Sequence, residues 1–334
     1  MNSPVIYLHI GMNKTGSSAI QGFFSRYEHE LQNFGILYPQ SGRQGIAHYG
    51  LSRVLGFYHG QSDTSNDQES ARDSLKHSLS REIESSGVET VVLSSENFVI
   101  PRSAEVVKAF LSSFDVRVVV YLRRHDAWWE SAYAQAVKMV ARPPWGPGPE
   151  EYVAYHQRKN PSYGNYRTLL DRWEKVFGTD NILVRPYETQ QNGTNVVVDF
   201  LSSIGHEDVA EKLATQSERV NERLGPSQLT MLDLYQRLDV SDDIRSRLLQ
   251  HAKSMQVDGV RRPLLPPGLR RQLIEQNLED YAYIAKKYLG REHGILFYDP
   301  LPDPEDDWIP PDQLSAIDIV QETLKALGLG RDEI

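Results

Sequence analysis

The 334-residue chain contains no cysteine, which removes disulfide scaffolds, thiolate nucleophiles and cysteine-ligated zinc or iron–sulfur centres in one step. It also lacks a basic excess. Its 36 lysines and arginines stand against 45 aspartates and glutamates, a formal charge of −9, and the isoelectric point lies near 5.6. This argues against nucleic acid or an anionic membrane as a partner, so an anionic ligand must meet a local positive site. Apolar runs are short: residues 118–122 are among the longest compact ones, far below the ~18–20 residues that cross a bilayer, and no integral membrane segment is expected. Residues 1–4 lead straight into Val5-Ile6-Tyr7-Leu8 without a basic segment or a small-residue cleavage site. The encoded N-terminus is read as the mature one and the protein as cytoplasmic. The histidines show no His-Glu-x-x-His or comparable ligand spacing, and no metal is expected.

What is present is ordinary globular material, 40% apolar and 24% charged. At about 150 residues per domain, the length fits two domains or one elaborated α/β domain. Residues 5–10 read as a β run stopped by Gly11, and from Ser18 the pattern turns helical, with Ile20, Phe23, Phe24, Tyr27 and Leu31 on one face. Residues 88–93, 117–122 and 182–184 form three further β runs separated by helical stretches. Strands alternating with helices predict an α/β fold with a central parallel sheet covered on both faces. Residues 127–140 read as a helix, which Pro143, Pro144, Gly146, Pro147 and Gly148 then break, so 142–165 read as a loop or lid. Beyond residue 205 the chain reads as mainly helical, without internal repeats.

The most informative stretch is Gly11-Met12-Asn13-Lys14-Thr15-Gly16-Ser17-Ser18, where a β run passes through a glycine-containing loop into a helix. Backbone N–H groups at a helix start, a lysine and small hydroxyl residues together offer donors and positive potential to a phosphate. A plain strand–turn–helix junction with Ser17 or Ser18 as N-cap is the competing reading. The lysine precedes the glycine, unlike a Walker A loop, and no acidic residue closes a neighbouring β run, so magnesium-dependent nucleotide hydrolysis is disfavoured. Arg123 closes the third β run and Ser131 follows eight residues on. A guanidinium at a strand end and a helix hydroxyl can converge on a second anion, although a surface arginine and an unrelated serine would look the same.

Together these stretches resemble the sulfotransferases that use 3′-phosphoadenosine 5′-phosphosulfate (PAPS), and most closely the bacterial members of that family. The 5′-phosphosulfate loop of the family has the order matched by Lys14 to Ser18, and its 3′-phosphate motif is matched by Arg123 and Ser131. The phrases Asp180-Asn181-Ile182-Leu183-Val184-Arg185-Pro186-Tyr187-Glu188 and Tyr288-Leu289-Gly290-Arg291 extend the likeness. The resemblance implies a P-loop NTPase-like three-layer fold and a single domain over 1–334, with a nucleotide-binding core over 1–205 and a mainly helical extension over 206–334.

It also implies roles. Asn13 to Ser18, Arg123, Ser131 and Tyr187 would hold the donor nucleotide, and Arg219 would stand in for a later 3′-phosphate loop that has no clean counterpart. Lys14 would act electrostatically. The family's base lies at the end of the strand before the 3′-phosphate strand, which points to Glu96 in Ser94-Ser95-Glu96-Asn97, with His48 as a secondary candidate and His9 as an interior residue. Trp145 is a candidate acceptor contact. The expected activity is sulfuryl transfer from PAPS, without a metal, to a small-molecule or glycan acceptor. The alternatives are a P-loop kinase or nucleotide phosphotransferase and a non-catalytic nucleotide-binding module.

Overall fold

A sheet covered on both faces has no polar side, and residues 118–122 are apolar without a break: Val118, Val119, Val120, Tyr121 and Leu122 are all fully buried. The computed structural model describes residues 4–58, 66–193, 195–213, 224–256, 262–305, 307–308, 310 and 314–329. Its five strands are β1 (Val5–His9), β2 (Ile36–Leu37), β3 (Thr90–Ser94), β4 (Asp115–Leu122) and β5 (Ile182–Pro186). They form one sheet in the order β2-β3-β1-β4-β5, and every pair is parallel. The α/β class with a central parallel sheet is therefore the observed one. The two-residue β2 joins the four strands legible in the sequence.

From β1 the chain turns toward β2 on one side of the sheet, and from β4 toward β5 on the other. The carboxyl ends of β1 and β4, which are neighbours, thus flank the point where open α/β sheets bind ligands. On one face, α1 (Ser17–Arg26) and the helix Val196–Ser203 bury Ile20, Phe23, Phe24, Val197, Phe200 and Leu201 against Tyr7, Val92, Val119 and Tyr121. Val118 and Val120 alternate away from that cluster. The helix Tyr166–Phe177 packs against β4 and buries Leu169, Leu170, Trp173 and Phe177 at helical spacing, with Asn165 accepting from the Thr168 N–H at its start.

The chain gathers into two units. The first comprises Met1–Arg124, Asn165–Val220 and Leu278–Asp299 and holds the whole sheet. The second comprises His125–Gly164, Asn221–Asn277 and Pro300–Ile334 and is helical, without a strand among its described residues. Within the second unit, fully buried Asp126 pairs with Arg270 at 2.9 Å. Asp233 accepts from the Tyr133 hydroxyl, the Gly148 N–H and Arg237. The expected loop at 142–165 is corrected here, because Pro149–Lys159 is a helix. Pro149 sits in its first turn, where a missing N–H removes no helical bond, and Glu150 and Glu151 at the start and Arg158 and Lys159 at the end match the helix dipole. Trp145 is 5% exposed and packs edge-on to Tyr152, which makes it a core residue rather than an acceptor contact. No helix among the described residues is long and apolar enough to cross a membrane.

Candidate active site

Between β1 and α1 the chain turns through three left-handed residues, Gly11 (φ 60°), Lys14 (φ 71°) and Gly16 (φ 84°). For Lys14 this conformation costs about 1 kcal/mol. Its carbonyl is held by Arg123 Nη1 at 3.0 Å, which fixes the strained peptide to the end of β4. A side chain at Gly16 would meet Val196 Cγ1 at 2.9 Å and Tyr187 Cε2 at 3.1 Å, so only glycine fits there. Gly16 precedes the first turn of α1 without a side-chain cap, and that turn holds no acidic residue, so the positive end of the helix dipole is not offset locally.

The loop side chains divide by role. Thr15 is fully buried and its hydroxyl donates to the Met12 carbonyl at 2.6 Å, so it shapes the loop from inside. Ser17 is 3% exposed, and its Oγ has no hydrogen-bond partner among the described residues. A buried hydroxyl left unpaired costs roughly 1–3 kcal/mol, a deficit that an incoming anion would remove. Asn13 and Ser18 are exposed and Lys14 is half-buried.

Arg123 stands 5.8 Å over the Tyr187 ring. Its carbonyl accepts from the Tyr166 hydroxyl at 2.6 Å, and the Tyr187 N–H donates to the Leu122 carbonyl at 2.6 Å. The first unit thus brings together Lys14, Gly16, Arg123 and Tyr187, four of the residues singled out by sequence. Ser131 lies on the helix His125–Met139, in the second unit. Arg219 lies outside the described residues.

Glu96 opens a short 3-10 helix, Glu96–Val99, directly after β3, and Ser95 caps it by accepting from the Asn97 N–H. A side chain at Gly11 would meet Glu96 Cγ at 3.0 Å and Ser17 Oγ at 3.3 Å, so a bare glycine lets the carboxylate-bearing residue lie against the loop. Glu96 Oε2 accepts from the Tyr49 hydroxyl at 2.7 Å and from Gln21 Nε2 at 3.4 Å.

His48 is corrected as a base candidate. It is fully buried, its Nδ1 accepts from the Ser94 N–H at 3.1 Å, and Nε2 lies 3.0 Å from the Pro39 carbonyl. The network assigns the Nε2–H tautomer, and burial holds the imidazole down to about 4, so neither nitrogen is available to take a proton from a ligand. His9 is interior as expected, with Nδ1 2.8 Å from Ser94 Oγ and burial holding it down to about 3. Its Nε2 is buried without a partner among the described residues.

Three residues of this region carry no motif in the sequence: Tyr49, Gln21 and Arg172. Arg172 donates to the carbonyls of Phe98, Val99 and Ile100 and so ties down the end of the 3-10 helix that carries Glu96. The single hint was Gln21, a polar residue that follows Ile20 on the face of α1 that also buries Ser17.

A scan against protein-family models finds no match. Among curated proteins, an uncharacterized protein of Archaeoglobus fulgidus is 26% identical over 212 residues, which cover 62% of this chain and 55% of that protein. The chain therefore spans about half the length of the curated relative it matches. Among solved structures, the crystal structure of a sulfotransferase from Alicyclobacillus acidocaldarius aligns at 15% identity with a TM-score of 0.39, covering 84% of this chain and 96% of that one.

Proposed function

We propose that the chain transfers a sulfuryl group from PAPS to an acceptor hydroxyl, on a carbohydrate or glycoconjugate. The observation that carries this reading is the folded Lys14-Thr15-Gly16-Ser17-Ser18 loop. Its buried Ser17 hydroxyl, without a partner among the described residues, lies beside the uncapped start of α1, and Glu96 packs close by across Gly11. These donors suit the oxygens of a phosphosulfate.

In this reading the Lys14 ammonium and the first N–H groups of α1 receive the 5′-phosphosulfate. Arg123 receives the 3′-phosphate, the role that the resemblance gives it, and Tyr187 borders the nucleotide. Glu96 accepts the proton of the acceptor hydroxyl as its oxygen forms a bond to sulfur. The bond from sulfur to the bridging oxygen breaks in line, and Lys14 offsets the charge that develops on the departing phosphate.

Calorimetric titration with adenosine 3′,5′-bisphosphate tests this, with ATP and 5′-AMP as controls and with magnesium present and absent. The expected outcome is selective binding of the bisphosphate that does not depend on magnesium. Lys14→Ala is expected to slow sulfuryl transfer by about 10²-fold or more. A preference for magnesium-ATP would overturn the reading in favour of phosphoryl transfer. Bisphosphate binding with sulfuryl transfer indifferent to Glu96→Gln would remove the assigned base.

A further inference from the structure

We infer that Tyr49 and Gln21 are the positioning residues of this site: they anchor Glu96 through one carboxylate oxygen and leave the other to receive the acceptor proton. The inference rests on the reading of Glu96 as the base and adds what makes that glutamate directional.

Both anchors converge on Oε2, Tyr49 at 2.7 Å and Gln21 at 3.4 Å. No hydrogen bond reaches Oε1 among the described residues. An oxygen that accepts two hydrogen bonds has both lone pairs engaged, so the proton goes to its twin. Each anchor is itself fixed by the sheet. Tyr49 follows His48, whose backbone N–H donates to the Ser94 carbonyl at 2.8 Å and whose ring receives the Ser94 N–H. Gln21 is 1% exposed and its amide also donates to Ser94 Oγ at 3.1 Å, which in turn meets His9. A continuous network therefore runs from β1 and β3 through α1 to the carboxylate.

Two consequences follow from the chemistry of the anchors. Burial first, and then the bond to Glu96 and its charge, raise the Tyr49 phenol well above its usual range, so it stays protonated and remains a donor. Gln21 belongs to the helix whose first turn forms the phosphate loop. One anchor of the base and the donor cradle thus share α1, which ties the position of Glu96 to that of the loop as in-line transfer requires.

The test uses the full chain and two readouts. In protein carrying isotope-labelled tyrosine ring carbons, the Cζ resonance of Tyr49, identified by its loss in Tyr49→Phe, should move upfield at pH 7 in Glu96→Gln. An unmoved resonance overturns the anchor. The second readout is sulfuryl release from isotope-labelled PAPS, to water where no acceptor is added, alongside bisphosphate titration. Tyr49→Phe is expected to lower turnover about tenfold with bisphosphate affinity unchanged, and Tyr49→Phe combined with Glu96→Gln to be no slower than Glu96→Gln alone. Additive losses, or weakened bisphosphate binding in Tyr49→Phe, would mean that Tyr49 merely supports the fold. Failure of the wild type to bind bisphosphate would overturn sulfuryl transfer instead, and the Cζ resonance would still decide whether the anchor exists.

Discussion

At the scale of single residues, two buried imidazoles set an acid limit on this fold. Burial holds His48 down to about 4 and His9 down to about 3, whereas an unfolded histidine titrates near 6.5. Below pH 6.5 the unfolded chain takes up protons that the folded chain refuses. The stability these residues leave intact at pH 7 therefore declines as the pH falls toward 4, and levels off below the folded values. Between pH 7 and pH 5 the loss is about 2 kcal/mol for each imidazole. Urea unfolding at the two pH values reads it, and His48→Gln should lose about 2 kcal/mol less over that interval whatever its stability at pH 7. An equal loss in the variant would clear His48 of the effect. Residues that stand together in one stretch, such as Lys14, Gly16 and Ser17, were legible as a loop between a strand and a helix. Tyr49 and Gln21 were not, because their partner Glu96 lies 47 and 75 residues away and only the fold brings the atoms together.

At the scale of elements, the 3-10 helix Glu96–Val99 is too short to satisfy its own carbonyls, and Arg172 from the helix Tyr166–Phe177 does it from outside. Burial draws the Arg172 guanidinium down to about 10, which leaves it charged at pH 7. Arg172→Met would leave those carbonyls unpaired at a cost of about 3 kcal/mol. Urea unfolding should show this loss, and on the proposed function sulfuryl transfer should slow with bisphosphate affinity unchanged, since Lys14, Gly16 and Arg123 are not touched; full activity in a stable variant would refute the supporting role. Strands β1, β3, β4 and β5 were legible because a buried parallel strand is an uninterrupted apolar run. The strand β2 escaped notice because two residues, Ile36 and Leu37, carry no periodicity. The helix Pro149–Lys159 escaped for the opposite reason: a dense group of prolines and glycines reads as a break, although a proline in the first turn starts a helix as well as it ends one.

At the scale of the whole molecule, the strand order predicts a gradient of local stability. Strand β1 lies at the centre of the sheet between β3 and β4, whereas β2 is a two-residue edge. In native-state hydrogen exchange, the amides of β1 and β4 should open only with global unfolding, and those of β2 through smaller fluctuations; uniform protection would contradict this. The same arrangement has a consequence for synthesis. Gly16 packs against Val196, which is 196 − 16 = 180 residues later in the chain. At about 5–20 residues per second, a ribosome needs roughly 10–40 s to cover that distance. Throughout this interval the loop between β1 and α1 has emerged without Val196, one of the side chains that close over Gly16. A nucleotide bound there as proposed would protect the finished chain from unfolding, and would find the loop incompletely supported on the growing one.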